Sequence, residues 1–327
     1  MNAAMRAVVL DAPGDADQLT LRTLPLPEPA PGWVRIRVKA FGLNRSELMT
    51  RLGLSGDAVT YPRVLGIEAV GVVDHDPSGT LQLGQQVATL MGGMGREFDG
   101  SYAEFTCVPS SQIIPFTSDL DWSLIGAVPE MLQTAYGSLT VGLDAQAGQS
   151  ILIRGGTSSV GMAAAVLAKR LGLTVLATTR YPERSAMLTR IGVDHVLLDD
   201  GAVAVQARTY FPDGVDLALE LVGTSSLPDT LRATRVHGTV CFTGMLSQQW
   251  SVPDFYPIDY LPSGVRLTAY TGGAADLPQA VLQGFLDDAA AGNLTIPLGR
   301  TYRLEDVAQA HRDMEASAVG GKAVVVL

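Results

Sequence analysis

An apolar run that ends in a loop of glycine, threonine and serine is the feature that most constrains this chain. Residues 151–161 read Ile-Leu-Ile-Arg-Gly-Gly-Thr-Ser-Ser-Val-Gly, and an alanine-rich stretch follows at 162–171. This order predicts a strand, a tight loop and a helix start, where unpaired backbone N–H groups and the helix dipole favour a pyrophosphate. Gly156 and Gly161 fit the glycine pattern, but Ser158 stands where a second glycine is usual. The loop alone therefore indicates a dinucleotide site only weakly.

A second apolar stretch at 172–180, Gly-Leu-Thr-Val-Leu-Ala-Thr-Thr-Arg, predicts the next strand of the same unit. Sites that prefer NADH usually carry an acidic residue at the end of this strand, about 20 residues beyond the first glycine. Here Thr179, Arg180 and, one helical turn further, Arg184 offer donors that suit a 2′-phosphate. We therefore predict NADPH as the cofactor. The alternative is that Arg180 is a solvated loop residue.

Composition excludes several classes of protein. The chain has 327 residues, 47% of them hydrophobic, which is enough for two domains with substantial cores. Its net charge is −10 without a Lys/Arg cluster, so neither nucleic acid nor an anionic membrane is an expected partner. Cys107 and Cys241 lack metal-ligand spacing and are predicted to be free thiols. Because we find neither a signal peptide nor an apolar run of about 20 residues, we expect a cytoplasmic protein.

Two patterns of secondary structure divide the chain. Short strands with glycine and proline turns predict a small β-rich barrel or sandwich first, with strands at 7–10, 33–39, 65–73 and 86–90. Helical patterns begin near residue 121, and six further strands then alternate with helices, at 150–154, 174–178, 195–198, 215–221, 239–243 and 265–270. This alternation predicts an α/β fold with an open, doubly wound parallel sheet. The closing stretch 321–327 is predicted to return to the first domain as a strand.

Several stretches together resemble the medium-chain dehydrogenase/reductases. They are Met5-Arg-Ala-Val-Val-Leu10, Gly42-Leu-Asn-Arg-Ser-Glu47, Leu65-Gly-Ile-Glu-Ala-Val-Gly71, Gly100-Ser-Tyr-Ala-Glu-Phe105, Gln133-Thr-Ala-Tyr136, the Gly-Thr-Ser-Ser-Val-Gly loop, Arg312-Asp-Met-Glu-Ala316 and the closing Gly-Lys-Ala-Val-Val-Val. The resemblance implies a GroES-like catalytic domain at 1–122 and 294–327, interrupted by a Rossmann NADP-binding domain at 123–293. It also implies an active site in the cleft between the domains.

Two departures from that family indicate the branch. Zinc-dependent members place a cysteine ligand where this chain has Asn44, and a histidine ligand where it has Ile67. An amide is a poor zinc ligand and isoleucine is none, so no metal is expected. The chain then resembles the zinc-independent quinone oxidoreductase branch. This resemblance implies NADPH-dependent hydride transfer to a quinone or an enone, whose conjugation spreads the developing charge. The alternatives are an enoyl-thioester reductase of the same fold and a non-catalytic NADPH-binding sensor.

By the resemblance, Asn44 and Glu47 line the catalytic cleft. Asn44 is predicted to donate its amide to the substrate oxygen or to hold the nicotinamide ribose, and the alternative is a turn-capping role. Glu47 is predicted either to orient Asn44 or to pair with Arg51 or Arg63.

Two further side chains are candidates near this cleft. Tyr61 is a candidate hydroxyl donor, although a tyrosine before Pro62 has an equally good structural role. Glu68 corresponds to an acid near the metal of zinc members, and without zinc it is predicted to be a structural hydrogen-bonding group.

The predicted cofactor contacts come from four loops. The pyrophosphate is assigned to Gly156, Thr157, Ser158, Ser159 and Val160, with Ser158 adding a hydroxyl to the phosphate cradle. The 2′-phosphate is assigned to Thr179, Arg180 and Arg184, and the nicotinamide, by the resemblance, to Thr134. The strand ends at the carboxyl edge of the sheet add Val222, Gly223, Thr243, Gly244 and Met245. Asp199 and Asp200 would oppose a phosphate if they pointed inward.

The last predicted strand of the parallel sheet, at 265–270, bears on the oligomeric state. A strand at the edge of a sheet exposes unpaired backbone groups, and the family resemblance places a subunit contact there. We therefore expect a homodimer.

Overall fold

The computed structural model describes residues 3–249 and 251–327. The chain divides into two compact units, Met1–Glu130 with Gly273–Leu327, and Met131–Gly272. The predicted second domain, 123–293, extends beyond this unit at both ends, and the excess at its C-terminal end includes the helix Gln279–Ala290. In the structure, Gln283 ties that helix to the first unit: its side chain accepts the Thr117 N–H at 2.9 Å and donates to the Thr117 carbonyl at 2.8 Å.

The strands, in chain order, are β1 Ala4–Leu10, β2 Leu19–Pro25, β3 Trp33–Gly42, β4 Arg63–Val64, β5 Glu68–His75, β6 Gln86–Leu90, β7 Phe105–Pro109, β8 Ile114–Pro115, β9 Ser150–Arg154, β10 Thr174–Thr179, β11 His195–Leu198, β12 Val215–Glu220, β13 Thr234–Phe242, β14 Arg266–Ala269, β15 Leu298–Arg303 and β16 Lys322–Val326. The α-helices are α1 Arg45–Arg51, α2 Trp122–Ile125, α3 Pro129–Gly137, α4 Ser159–Arg170, α5 Ser185–Arg190, α6 Val203–Tyr210, α7 Leu227–Ala233, α8 Pro257–Tyr260, α9 Gln279–Ala290 and α10 Val307–Glu315. Within 3–249 and 251–327, no helix is long and apolar enough to span a bilayer.

The first unit is built on two sheets. One has the order β2-β1-β4, and the other has the order β15-β16-β3-β5-β6-β8, with β7 also paired to β3. Apolar residues of β3, among them Val34, Ile36 and Val38, are buried in the shared core. The closing strand β16 pairs antiparallel with β3, with Val325 opposite Phe41, which confirms its predicted return to this unit.

The second unit is a parallel sheet with the order β11-β10-β9-β12-β13-β14. This is the doubly wound Rossmann order, in which the first strand lies in the middle and the strand order reverses beside it. The residues of strands β9 and β12 are almost all buried because both faces of a parallel sheet are covered. The predicted α/β fold, a GroES-like β-rich domain plus a Rossmann six-stranded sheet, is therefore confirmed.

Candidate functional site

The glycines of the 155–161 loop bring the chain close to its neighbours. Gly155 has a φ of +86°, which favours glycine. A Cβ on Gly156 would lie 2.7 Å from the Cβ of Ala177 on β10, and a Cβ on Gly161 would lie 2.5 Å from the Gly155 carbonyl oxygen. The loop therefore packs tightly against the second strand before α4 begins. The first N–H groups of a helix have no intrahelical partner, so this helix end can hold a phosphate.

Ser158 serves as the N-cap of α4. Its Oγ accepts the Gly161 N–H at 3.0 Å and donates to the Gly155 carbonyl at 2.8 Å. Its φ is −76°, so the position does not need the glycine that the pattern usually has. The hydroxyl proton is thus held by the loop itself, which argues against the predicted extra donor for the phosphate.

The end of β10 carries the predicted 2′-phosphate residues. Thr178 Oγ1 accepts the Gly155 N–H at 2.9 Å and so joins this strand to the loop. Thr179 Oγ1 donates to the Tyr181 carbonyl and accepts the Tyr181 N–H, both at 3.1 Å. The guanidinium groups of Arg180 and Arg184 lie 5.6 Å and 4.6 Å from the centre of the exposed Tyr181 ring. The structure therefore brings two cations and an aromatic ring together beside the phosphate loop.

The two aspartates after β11 have different environments. Asp199 holds a forked ion pair with Arg154, with Nε–Oδ2 at 2.6 Å and Nη2–Oδ1 at 2.7 Å. Asp200 Oδ1 accepts the Ala202 N–H at 2.9 Å and a Gln206 side-chain N–H at 3.1 Å. The Asp199 carboxylate is thus paired with a guanidinium, whereas the Asp200 carboxylate accepts hydrogen bonds from neutral N–H groups.

The turn after β12 is held by the buried carboxylate of Glu220. Its Oε1 accepts the N–H groups of Val222 and Gly223 at 2.7 and 3.0 Å, and its Oε2 accepts the Thr230 hydroxyl at 2.6 Å. Burial raises the pKa of Glu220, and these hydrogen bonds partly offset that rise. Gly223 has a φ of +131°, which requires glycine at this turn.

The turn after β13 is linked to α3 within the same unit. Thr243 Oγ1 lies 2.9 Å from Ser138 Oγ, which donates to the Thr134 carbonyl at 2.7 Å. A Cβ on Gly244 would lie 2.6 Å from the Leu221 carbonyl oxygen, so the chain approaches the β12 turn closely. The predicted residues Thr134, Thr243 and Gly244, with Met245 next in sequence, therefore share one end of the sheet. Their contact with a cofactor stays a prediction.

Asn44 lies in a buried polar cluster of the first unit. Its Nδ2 donates to Glu68 Oε1 at 3.0 Å and makes a longer contact of 3.4 Å with Glu47 Oε1, while its Oδ1 accepts from the Lys322 ammonium. Asn44 is 7% exposed. Its amide thus has protein partners on both sides, which supports a positioning role over direct donation to a substrate.

Glu47 orients Asn44, as one of the predictions had it. Its Oε2 accepts the Asn44 backbone N–H at 2.9 Å at the start of α1, and its Oε1 accepts the Ile67 N–H at 3.2 Å. Burial raises the pKa of Glu47 to about 8, Lys322 opposes that rise, and Glu68 adds to it. The alternative ion pairs are wrong, because Arg51 pairs with Glu315 and Arg63 pairs with Asp99.

Glu68, Glu130 and Lys322 complete the cluster. Lys322 Nζ lies 2.8 Å from Glu68 Oε1 and 3.3 Å from Glu130 Oε2, and Glu68 Oε2 accepts the Glu130 N–H at 2.8 Å. The structural role predicted for Glu68 agrees with these bonds. Sequence reasoning missed Lys322 and Glu130, although a lysine that opens an apolar strand was a usable signal. Burial would lower the pKa of Lys322, but the two carboxylates together raise it.

Tyr61 has a structural partner in the first unit. Its hydroxyl donates to the Thr50 carbonyl at 2.8 Å, at the end of α1. Burial raises the pKa of Tyr61, so its proton is held more firmly than usual. The geometry therefore favours the structural role over the predicted proton donor.

The residues at the family's metal position do not suit zinc. The Lys322 ammonium contacts Asn44 Oδ1, the oxygen that would have to face a metal ion, and Ile67 offers no ligand atom. A resident ammonium group repels a second cation at this oxygen. Across residues 3–249 and 251–327, no three His, Cys, Asp or Glu side chains are grouped so that they could hold a metal ion.

Comparison with known proteins agrees with this architecture. A family model described as "Alcohol dehydrogenase GroES-like domain" matches residues 30–118, and one described as "Zinc-binding dehydrogenase" matches residues 191–325. Quinone oxidoreductase of Lama guanicoe is 26% identical over 99% of this chain and 98% of that protein. Prostaglandin reductase-3 of Mus musculus is 28% identical over 97% of this chain and 87% of that protein. A crystal structure of an NAD-dependent alcohol dehydrogenase superposes with a TM-score of 0.88 at 25% identity, over 99% of this chain and 100% of that one.

The two-part fold, the phosphate loop and these matches define an oxidoreductase whose architecture carries a nicotinamide cofactor. The chain belongs to the medium-chain dehydrogenase/reductases, in their quinone oxidoreductase branch.

Proposed function

We propose that this chain is an NADPH-dependent, zinc-independent reductase that transfers hydride to a quinone or a conjugated carbonyl compound. The observation that supports NADPH is that Arg180, Tyr181 and Arg184 lie together just after β10, beside the phosphate loop. Guanidinium groups bind phosphate oxygens through charge-assisted hydrogen bonds, and a 2′-phosphate distinguishes NADPH from NADH.

The substrate class follows from what the first unit offers. When bound, NADPH supplies the hydride. With Asn44 and Ile67 at the metal position and Lys322 on the Asn44 amide, no residue set there fits a Lewis acid. Acceptors that delocalise the developing charge need less electrophilic help than simple alcohols or ketones. The names of the two curated relatives, a quinone oxidoreductase and a prostaglandin reductase, support this class.

Cofactor titration tests the first half of the proposal. Wild-type protein should bind NADPH about tenfold or more tightly than NADH, which corresponds to roughly 1.4 kcal/mol. Arg180→Ala should remove most of that difference in affinity. The control is Arg190→Ala, which changes an exposed arginine at the end of α5 and should leave the difference intact. Equal affinities in the wild type would refute NADPH preference.

Turnover tests the second half. NADPH oxidation should be observed with quinones or enones, should be slower with simple aldehydes, and should persist in a chelator. Activity that is lost with a chelator and restored by zinc would contradict zinc independence. Faster turnover of an enoyl thioester would favour the enoyl-thioester reductase alternative. Tight NADPH binding with no turnover on any acceptor would favour the sensor alternative.

We also propose that the protein forms a homodimer. Strand β14 lies at the edge of the six-stranded sheet, with Leu267 exposed, and we expect it to pair with its copy in a homodimer. Light scattering on purified protein should give twice the chain mass, and a monomer at micromolar concentration would contradict it.

A further inference from the structure

Arg154 is the last residue of β9 and directly precedes the phosphate loop. It is 2% exposed, and its guanidinium makes three short contacts: two with Asp199, at 2.6 and 2.7 Å, and one with Asp229 Oδ2 at 2.7 Å. The planar fork of an arginine matches a carboxylate in this way, and its charge is permanent at every ordinary pH. The phosphate loop therefore starts from a buried, fixed cation.

Asp199 belongs to the same edge of the sheet as the residues proposed for the 2′-phosphate. Its backbone N–H donates to the Thr179 carbonyl at 2.8 Å, and Thr179 directly precedes Arg180. A carboxylate at this edge without a partner would repel an added phosphate, because the interaction of two like charges is only partly screened near a protein surface.

Asp229 fixes the far side of the guanidinium. Its Oδ2 also accepts the N–H groups of Val203 and Ala204, at 2.9 and 3.3 Å, at the start of α6. Arg154 thus joins the end of β9, the end of β11 and two helices in one arrangement. This arrangement prevents the Asp199 carboxylate from turning toward solvent or toward the loop.

We propose that Arg154 is a positioning residue for the cofactor: it masks the charge of Asp199 and so allows the β10–β11 edge to accept the extra phosphate of NADPH. This inference rests on the proposed function, since it concerns the choice between NADPH and NADH at that same site.

The test is a comparison of the NADPH and NADH dissociation constants of the wild type and of three variants at pH 8. Arg154→Met should lower the preference for NADPH about tenfold, because it leaves the Asp199 charge unmasked. Asp199→Asn should raise the preference about threefold. The neutral double variant, Arg154→Met with Asp199→Asn, should return to within twofold of the wild type. A purely structural ion pair would weaken both cofactors alike, and the double variant would not restore the preference.

Lys169→Met is the matched control. Lys169 pairs with Asp194 at 2.8 Å, at the amino end of β11, so this change also removes a cation from an aspartate of the same sheet. The NADPH preference should stay unchanged, and an equal loss would overturn the proposal. If Arg154→Met does not fold, Asp199→Asn decides, since an unchanged or lowered preference in that variant overturns the inference.

The two proposals fail separately. If wild-type protein shows no preference for NADPH, the proposed cofactor is wrong. If the wild type prefers NADPH and Arg180→Ala removes that preference, but the Arg154 and Asp199 variants do not change it, only the present inference is wrong.

Discussion

Each unit of this chain contains a cluster in which a buried cation contacts carboxylates, but the cation is an arginine in one cluster and a lysine in the other. In the second unit, the Arg154 fork makes two contacts with Asp199 and one with Asp229. In the first unit, the single ammonium of Lys322 is shared by Asn44, Glu68 and Glu130. Guanidinium groups hold carboxylates in a fixed geometry, whereas an ammonium is a compact point charge.

The two clusters also differ in how their carboxylates are paired. Lys322 does not bond to Glu47, whose carboxylate has only neutral N–H donors, and burial raises the pKa of Glu47 to about 8. In the second unit, the charges of Asp199 and Asp229 are matched directly by guanidinium nitrogens. Glu47 can therefore gain or lose a proton near neutral pH, whereas in the second cluster the Arg154 guanidinium fixes the positions of both carboxylates.

The largest effect is expected when the ammonium is removed from the first cluster. Lys322→Met leaves the buried carboxylate of Glu68 without its cation, so the free energy of unfolding should fall by about 3–5 kcal/mol. Urea unfolding measures this loss. Lys39→Met, at a half-buried lysine of β3, should cost less than about 1 kcal/mol. Adding Glu68→Gln to Lys322→Met should recover part of the stability, and a double variant that is less stable still would contradict the assignment.

A smaller effect should follow from the raised pKa of Glu47. The folded protein keeps this proton up to about pH 8, but the unfolded chain loses it near 4.5, so the stabilising contribution is complete below 4.5 and is lost as pH rises through 8. Between pH 5 and 7, the free energy of unfolding of the wild type should fall by about 2–3 kcal/mol relative to that of Glu47→Gln. Urea unfolding at several pH values measures this difference. Glu97→Gln, at an exposed position, should follow the wild-type profile, and parallel profiles for wild type and Glu47→Gln would show that Glu47 does not titrate there.

The smallest effect is expected in the second unit, at the start of α4, the helix that follows Arg154 and the phosphate loop. Ser158→Ala removes the cap of α4 and should lower the free energy of unfolding by about 1 kcal/mol. NADPH affinity should change less than twofold, because the Ser158 hydroxyl already bonds to Gly155 and Gly161. Thermal unfolding and cofactor titration measure the two quantities. A tenfold loss of NADPH affinity with unchanged stability would instead support the predicted hydroxyl in the phosphate cradle.

Periodicity predicted the Rossmann unit well. The strands predicted at 150–154 and 195–198 agree with β9 and β11. Buried parallel strands appear in the sequence as short apolar runs between turn residues, so their bounds can be predicted. Strand β13 starts at Thr234, earlier than the predicted 239, since polar residues at its start do not show the apolar pattern. The first unit was harder to predict, because short elements such as β2 and α1 carry few periodic residues.

The side-chain clusters were predicted only in part. Asn44, Glu47 and Glu68 were found through the family resemblance, and they do lie together. The partners that define their chemistry come from distant parts of the chain: Lys322 lies 278 residues beyond Asn44, and Asp229 lies 75 residues beyond Arg154. Contacts of this kind depend on strand order and register, which local sequence patterns do not specify.

The pairing of β16 with β3 affects the order in which the protein can fold during synthesis. The second unit is one continuous segment, Met131–Gly272, so all of its strands are available once that segment has left the ribosome. The first unit cannot complete its buried polar cluster at that stage, because Lys322 is translated after the whole segment. Until then, Glu68 and Glu130 have no ammonium between them. Domains tend to fold as units as the chain emerges. The nascent protein should therefore complete its nucleotide-binding unit before the first unit closes around its buried lysine.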